Sequence, residues 1–178
     1  VAKITTVRVV LTIATTRGWY LHQIDVKNMF LQGDLEEHVF VAQPPVFQLE
    51  RSTSAVCRLK KSLYGLKPAP PAWNSKITHR LRKMGFAASK SNCSLFIRNG
   101  SECSMCILLY IDAMIITGPD LAAISKVKSQ LSYAFEMKDL GTLHYFLGIE
   151  VIHTPDDILL SQHHYVLNML YKFDMTDC

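Results

Sequence analysis

The sequence predicts an α+β fold: elements in the order βαββαβ would build an antiparallel split-βαβ sheet with helices on one face. Three observations support this prediction. Residues 19–26 alternate between apolar and polar side chains, as a strand does. Apolar side chains recur at spacings of three and four over residues 73–84, as on one helix face. A tight turn at Asp112-Ala113 joins two further strands into a hairpin.

A helix is predicted before the first strand. Thr5 or Thr6 can cap it, and it runs to about Thr16, with Gly18 fitting its C-terminal end. Its apolar side chains share one face, so the helix should pack against a core. These side chains are Val7, Val10, Leu11 and Ala14.

Two short strands and a long helix follow the first strand. Segments 39–42 and 56–59 are the strand candidates. Prolines from Pro68 onward mark the entry to the helix, which runs to about Met84 and is closed by Gly85. The predicted buried stripe of this helix is Trp73, Ile77, Leu81 and Met84.

The second half of the chain is predicted to contain the central hairpin, with a helix after it. Asn99-Gly100 is a strong hairpin signal after a strand, and Asp120 can cap the helix that carries Leu121, Ile124, Val127 and Leu131. The predicted strands are 94–98, 104–111, 114–117, 143–152 and 158–160, and a last helix covers 163–173.

Basic residues are concentrated in one block. Residues 51–101 contain eleven of the 19 basic residues and none of the 15 acidic ones. A solvated helix face usually mixes both signs, so this block predicts a surface that faces a polyanion, whether nucleic acid, nucleotide or acidic protein. The eleven are Arg51, Arg58, Lys60, Lys61, Lys67, Lys76, Arg80, Arg82, Lys83, Lys90 and Arg98.

Composition excludes several classes of protein. The chain is 49% hydrophobic and 19% charged, which is ordinary for a globular domain. No apolar run approaches the roughly 20 residues of a membrane span, so no membrane partner is expected. Five cysteines at irregular spacings indicate a reducing, intracellular protein rather than a disulfide scaffold.

Two aspartates are candidates for a metal site. Asp25 lies near the end of the first strand and Asp112 at the tip of the central hairpin. A βαββαβ sheet places that strand beside that hairpin, so the two carboxylates should meet on the open face. A divalent cation can hold such like charges together, and two Mg²⁺ ions can stabilise phosphoryl transfer. The alternative is that both are ordinary strand-end aspartates.

Four segments carry an ordered set of motifs over nearly the whole chain. They are QIDVKNMFLQGDL at 23–35, CRLKKSLYGLK at 57–67, YIDAMIITG at 110–118, and MKDLG at 137–141 with LHYFLGIE at 143–150. In order, they resemble motif A, motif B, the Tyr-x-Asp-Asp hairpin of motif C, and the primer-grip segment of copia-type retrotransposon reverse transcriptases.

The resemblance implies the palm of an RNA-directed DNA polymerase that uses an RNA template, a DNA primer, dNTPs and two Mg²⁺ ions. Asp25 and Asp112 would be the catalytic metal ligands, with the carbonyl of Val26 as a further ligand. Phe30 would lie beneath the sugar and exclude a 2′-hydroxyl. The full implied sets are Phe30, Tyr64, Gly65 and Lys67 at the nucleotide, and Phe146, Leu147 and Gly148 at the primer grip.

Several positions depart from the family pattern. Ala113 stands where the family has a second Asp, and this change removes one charge and one oxygen ligand from the metal site. Met29 replaces a residue that is usually small, beside the expected nucleotide pocket. Pro68 and Pro71 replace residues that are commonly Gln and Arg, and each proline removes a backbone donor. We therefore expect impaired catalysis.

The resemblance further implies that residues 1–178 are a single palm domain, a fragment of a pol polyprotein that lacks most of the fingers and the thumb. A cytoplasmic location is expected for the family. Three functions remain open: a polymerase palm, a non-catalytic remnant that binds nucleic acid through the basic block, and a decayed copy of the element without present function.

Three further signals are not assigned to this function. Cys103 and Cys106 match C-x-x-C, but residues three apart in a strand point to opposite faces, so one metal could not bind both. The other two pairs are assigned to a solvated helix end and to a turn after Pro155: His163-His164 and Asp156-Asp157.

Overall fold

The computed structural model describes residues 2–35, 37–47, 55–100, 104–154 and 157–175. The predicted Pro155-Asp156 part of the turn and Cys103 of the C-x-x-C pair lie outside these ranges. The helices within them are α1 (Ile4–Thr16), α2 (Met29–Gln32), α3 (Ala69–Lys83), α4 (Leu121–Ala134) and α5 (His163–Lys172), with a 3₁₀ turn at Pro45–Phe47.

Most strands of the described ranges belong to one central sheet, and two small sheets hold the rest. The strands are β1 (Tyr20–Val26), β2 (Phe40–Ala42), β3 (Val56–Arg58), β4 (Ala87–Ala88), β5 (Leu95–Arg98), β6 (Met105–Tyr110), β7 (Ala113–Gly118), β8 (Met137–Thr142), β9 (Tyr145–Phe146), β10 (Ile149–His153) and β11 (Ile158–Ser161).

The central sheet has the order β4-β5-β6-β7-β1-β8, and its pairings are antiparallel. β1 lies between β7 and β8, with α3 in the connection from β1 to the β6–β7 hairpin and α4 in the connection from β7 to β8. This arrangement confirms the predicted α+β class and the split-βαβ order, and it adds β4 and β5 at one edge. β2 pairs with β3, and β9, β10 and β11 form a separate sheet.

Helices α3 and α4 cover one face of the central sheet. Each packs one apolar stripe onto it, and the predicted stripe of α3 is buried up to Leu81, while Met84 follows as the partly buried C-cap residue. Burial of these large side chains removes apolar surface from water and holds the layers together. The core includes Trp73, Ile77 and Leu81 from α3, Ile124, Val127 and Leu131 from α4, and Ile24, Ile107, Met114 and Ile116 from the sheet.

The opposite face is only partly open, which differs from the predicted open face. A second core forms there between α1, the small β9–β11 sheet and the central strands. The face stays accessible near the turn between β6 and β7, where Asp112 is exposed. The second core includes Val7, Leu11 and Ala14 from α1, Phe146 and Val151 from the small sheet, and Leu108 and Ile115 from the hairpin.

The predicted strand at 143–152 was wrong as the last strand of the central sheet. β8 takes that place at residues 137–142, and residues 145–153 form β9 and β10 instead. The chain turns between them at Leu147 and Gly148, which have φ values of 54° and 79°. The turn divides this apolar run, so β9 and β10 pair with each other as a hairpin outside the central sheet.

Helix ends follow local chemistry that differs in part from the prediction. Lys3 is the N-cap of α1 and makes no capping bond with its side chain, so the cap predicted at Thr5 or Thr6 was wrong. Pro68 is the N-cap of α3, and Pro70 and Pro71 lie in its first turn. First-turn N–H groups have no partner within the helix, so these prolines remove no helical hydrogen bond.

None of the helices in the described ranges has the length and apolar character that a bilayer crossing requires.

Candidate active site

Strands β1 and β7 bring the two predicted catalytic positions together. Asp25 of β1 is the direct register partner of Ala113 in β7, and Asp112 immediately precedes Ala113 in the turn. The N–H of Val26 donates to the carbonyl oxygen of Asp112 at 2.9 Å, which fixes the turn against β1. Ile24 and Val26 point into the core beneath α3 and α4, so alternation directs Asp25 to the other face.

The carboxyl of Asp25 is electrostatically disfavoured as an anion. Partial burial raises its pKa, and the neighbouring charge of Asp112 raises it further. The N–H of Val26 and the ammonium of Lys138 act in the opposite direction and do not cancel the rise. Lys138 lies opposite Asp25 in register on β8, so a single cation faces the two aspartates from the neighbouring strand.

The turn of the β6–β7 hairpin is held in an unusual backbone conformation. Ile111 has φ 54°, in the left-handed region that β-branched residues rarely adopt. Trp73 of α3 donates its indole Nε1–H to the carbonyl oxygen of Ile111 at 3.0 Å. The turn is therefore at Ile111-Asp112, one residue earlier than predicted, and Ala113 already belongs to β7.

A pocket of about 660 Å³ opens beside Asp112. The rings of Phe30 and Tyr64 lie on its wall and meet edge to face, with their centroids 5.4 Å apart. Val26 and Met29 also line it, so motif A, motif B and the hairpin turn contribute to a single cavity. A cavity of this size falls in the ordinary range for small-ligand sites.

Met29 has two environments at once. Only 7% of its surface is exposed, because it packs into the core beneath α3, yet its side chain also lines the pocket. Met29 thus lies in the wall of this cavity with Phe30, and its effect on a nucleotide stays a prediction.

The motif B segment is attached to motif A by polar contacts that sequence reasoning missed. The buried Ser62 donates its hydroxyl to the carbonyl oxygen of Phe30 at 2.6 Å, and Lys61 forms a β-bridge with Asp34. Gly33 lets α2 approach α3, because a Cβ there would lie 3.1 Å from the backbone nitrogen of Trp73. A Ser and a Gly within these motifs carry no periodic signal that could have revealed such contacts.

Of the other predicted nucleotide residues, Tyr64 lines this pocket, whereas Gly65 and Lys67 do not. Gly65 has φ 88°, which favours glycine, and no atom would lie within 4 Å of a Cβ there. Tyr64 is 88% exposed, and Lys67 is exposed and does not line the pocket beside Asp112. The structure thus brings Asp112, Phe30 and Tyr64 to one pocket, with Asp25 near Asp112 on the neighbouring strand. Gly65 and Lys67 lie outside the lining of that pocket.

The predicted primer-grip residues form the turn between β9 and β10. Phe146 is buried, and its ring packs edge-on against that of Tyr110, with centroids 6.1 Å apart. Leu147 is 37% exposed at the turn. Because Tyr110 ends β6, this turn is linked directly to the hairpin that carries Asp112.

Protein oxygens at the site suit a hard divalent cation. Two carboxylates, those of Asp25 and Asp112, converge, and Mg²⁺ is commonly held by one or two carboxylates together with substrate phosphates. Among the described residues, no three side chains of His, Cys, Asp or Glu are grouped so that they could hold a metal ion. Ala113, in register opposite Asp25, adds no side-chain oxygen to these two carboxylates.

The basic residues of the block lie in different surroundings. Lys61 forms a β-bridge with Asp34, and Lys76 is paired with Asp34 at 2.8 Å. Arg80 and Arg98, by contrast, lie in a groove between α3 and α4. The polyanion-facing surface stays a prediction, and Arg51 lies outside the described residues.

The chain resembles known proteins along its whole length. The profile of the family described as reverse transcriptase (RNA-dependent DNA polymerase) matches residues 1–178. The Retrovirus-related Pol polyprotein from transposon RE1 of Arabidopsis thaliana is 41% identical over 175 residues, which cover 98% of this chain and 12% of the relative.

Two further relatives are similar. The Retrovirus-related Pol polyprotein from transposon TNT 1-94 of Nicotiana tabacum is 38% identical over 178 residues, covering 98% of this chain and 13% of the relative. The putative transposon Ty5-1 protein YCL074W of Saccharomyces cerevisiae is 35% identical over 144 residues, covering 80% and 47%. The chain thus spans about an eighth of the length of the plant relatives it matches.

Proposed function

The chain belongs to the reverse transcriptase (RNA-dependent DNA polymerase) family, and from that premise we propose that it is the catalytic palm of a retrotransposon Pol polyprotein, with a metal site weakened by Ala113. In this proposal an RNA template and a DNA primer lie across the accessible face of the central sheet, and a dNTP enters the pocket beside Asp112. The observation that carries the proposal is the convergence of Asp25 and Asp112, with Ala113 in register opposite Asp25.

The two aspartates supply the groups that nucleotidyl transfer needs. Asp25 and Asp112 would hold Mg²⁺, with the carbonyl oxygen of Val26 as a further ligand. Bound Mg²⁺ would neutralise charge on the phosphates and activate the primer hydroxyl. The raised pKa of Asp25 fits this role, since two carboxylates this close gain when a cation sits between them.

The pocket wall would orient the nucleotide. Phe30 lies on the pocket wall, and its contact with Tyr64 and the Ser62 bond to its carbonyl oxygen fix its position. A rigid ring at that place would contact a 2′-hydroxyl and so favour deoxynucleotides. Met29 would narrow the same pocket and weaken nucleotide binding.

We also propose that Ala113 lowers the rate of catalysis. Removing one preorganised group from a site where charge develops typically lowers the rate by about 10²–10³. Ala113 supplies no oxygen, so one metal ligand is lost while the backbone register stays intact.

The test measures incorporation of labelled dNTP on an RNA template with Mg²⁺, using this chain within a Pol protein of the relatives' length. Ala113→Asp should raise the rate by about 10²–10³ over the natural Ala113 protein, whereas Ala113→Asn, close in size to the aspartate variant but neutral, should not. Asp25→Asn should abolish incorporation by the Ala113→Asp protein. Equal rates for the natural protein and the Ala113→Asp variant would disprove the impairment, and activity without Asp25 would disprove the site.

A second candidate, a non-catalytic protein that binds nucleic acid, is favoured by the same Ala113. It predicts binding of primer–template whose affinity falls with salt, without incorporation by any of the variants. If the protein neither binds primer–template nor incorporates dNTP, the remaining hypothesis is a decayed copy of the element without present function.

A further inference from the structure

A basic groove of about 630 Å³ lies between α3 and α4, on the helix-covered face of the central sheet. Its apolar lining residues include Met84, Ala123 and Val127. Its charged residues are the cations Arg80, Lys83, Arg98 and Lys126 and one acid, Asp120.

The cations of this groove lack counter-charges. Some lysines elsewhere are ion-paired, as Lys128 is with Asp139 at 2.6 Å. Across the described ranges, no carboxylate oxygen lies within 4.0 Å of any of the four groove cations. Asp120 offsets at most one of the four charges, and its carboxylate accepts the N–H of Ala122 at 2.8 Å as the N-cap of α4.

The two arginines are held in place by neutral groups. Arg80 donates one Nη to the carbonyl oxygen of Gln130 at 2.9 Å, while its Nε is buried without a hydrogen-bond partner. The guanidinium of Arg98 lies over the ring of Phe86, 4.8 Å from its centroid. Buried donors without partners are rare in folded proteins, so Arg80 is a groove cation whose hydrogen-bonding capacity is not fully used.

The groove is remote from the catalytic aspartates. Arg98 pairs in register with Met105 at the start of β6, whereas Asp112 follows the end of that strand. The groove also lies on the helix-covered face of the central sheet, whereas Asp25 points to the opposite face. A ligand there would be separate from a primer–template at the active site.

We propose that this groove binds the phosphate backbone of a single-stranded nucleic acid. A duplex is stiff and cannot bend into a groove of about 630 Å³, whereas a flexible single strand can follow a positively charged groove with its backbone. Guanidinium groups bind phosphate through two parallel hydrogen bonds, and lysines add point charges. Contacts to phosphate carry no sequence information, so the binding is independent of sequence.

The proposal rests on the proposed function only for the choice of nucleic acid over an acidic peptide. A polymerase of RNA templates encounters single strands, and the surplus of cations in the groove attracts any polyanion. Neither the proposal nor its test requires polymerisation, so an inactive catalytic centre would not affect the result.

The test uses fluorescence anisotropy with labelled rU20 and dT20, in the presence of excess unlabelled primer–template and over a salt series. The double variant Lys83→Gln/Lys126→Gln removes two exposed cations of the groove. The matched control, Lys3→Gln/Lys172→Gln, removes two exposed lysines elsewhere. Thermal unfolding of each protein verifies that both variants fold.

The groove variant should bind single strands roughly tenfold more weakly at low salt, and its log–log salt slope should fall by about 1.4, or about 0.7 per lost phosphate contact. The control should bind as the natural chain does. Equal binding by the two variants would overturn the proposal. The proposal would also be overturned if loss of Lys83 and Lys126 weakened binding of a labelled poly-glutamate peptide more than binding of the oligonucleotides. That result would assign the groove to an acidic protein.

Discussion

The indole of Trp73 and the carbonyl oxygen of Ile111 are joined by a hydrogen bond of 3.0 Å, which ties α3 to the turn that carries Asp112. Trp73→Phe keeps an aromatic ring in the core and removes the donor. We expect a loss of about 1–2 kcal/mol in the free energy of unfolding, because a hydrogen bond and some packing are lost. Urea denaturation measures it. Trp19→Phe, at a less buried ring, is the control and should cost less; equal losses would contradict a special role for Trp73.

Ile111 gives a prediction about strain. A β-branched residue in the left-handed region is disfavoured by about 1–2 kcal/mol, whereas Asn adopts that region readily. Ile111→Asn should therefore raise the free energy of unfolding by about 0.5–1 kcal/mol, since Ile111 is already 45% exposed.

The matched control for this prediction is Ile152→Asn. Ile152 is 43% exposed in β10 and does not have a positive φ. Asn is disfavoured in strands, so this variant should be slightly destabilised. If chemical denaturation shows the two variants changing in the same direction, strain at Ile111 is not the cause.

Replacing Met29 with alanine should lower the stability of the fold and widen the pocket. Met29→Ala removes a side chain that is 7% exposed, so we expect a loss of about 2–4 kcal/mol in the free energy of unfolding. The same change should increase affinity for dNTPs, measured by calorimetry. Met114→Ala, in the same core but not lining the pocket, should lose similar stability without gaining affinity. Equal dNTP affinities of the two variants would show that Met29 does not restrict the pocket.

The sequence predicted those elements whose side chains alternate or repeat with a clear period. The stripe of α3 was found because one side of the helix is buried, and the β6–β7 hairpin because its strands are short apolar runs that are buried on both faces. β8 was missed, because it is an edge strand with Lys138 and Asp139 exposed, and its pattern shows little alternation. The apolar run after it was taken for one strand, since the turn at Leu147 cannot be recognised from hydrophobicity alone.

The pairing of Asp25 with the hairpin followed from topology, because β1 must lie beside β7 in a split-βαβ sheet. The bond from Trp73 to Ile111 could not be predicted, since it joins a side chain to a backbone atom across 38 residues. Nor could the groove between α3 and α4, which collects cations from α3, β5 and α4.

The pKa of Asp25 leads to a prediction about stability and pH. The pKa lies above its ordinary value of 3.8 in the folded chain, so the folded state binds the proton more tightly than the unfolded state. Well below pH 3.8 the carboxyl of Asp25 is protonated in both states and does not lower the free energy of unfolding. As pH rises through the raised pKa, the folded state must hold an anion that is partly buried beside Asp112, and stability is lost.

Asp25→Asn removes this loss, because the amide does not titrate. The gain of the variant over the natural chain should be near zero in acid, should grow as pH rises past 3.8, and should level off above the raised pKa. Urea denaturation from about pH 3 to pH 8 measures it. Ala113→Asp should enlarge the effect, because it places another like charge in register with Asp25. Mg²⁺ at neutral pH should stabilise the natural chain more than the Asn variant, since bound cation offsets the repulsion. A gain that is largest in acid and vanishes at neutral pH would contradict the raised pKa and the convergence of the two aspartates.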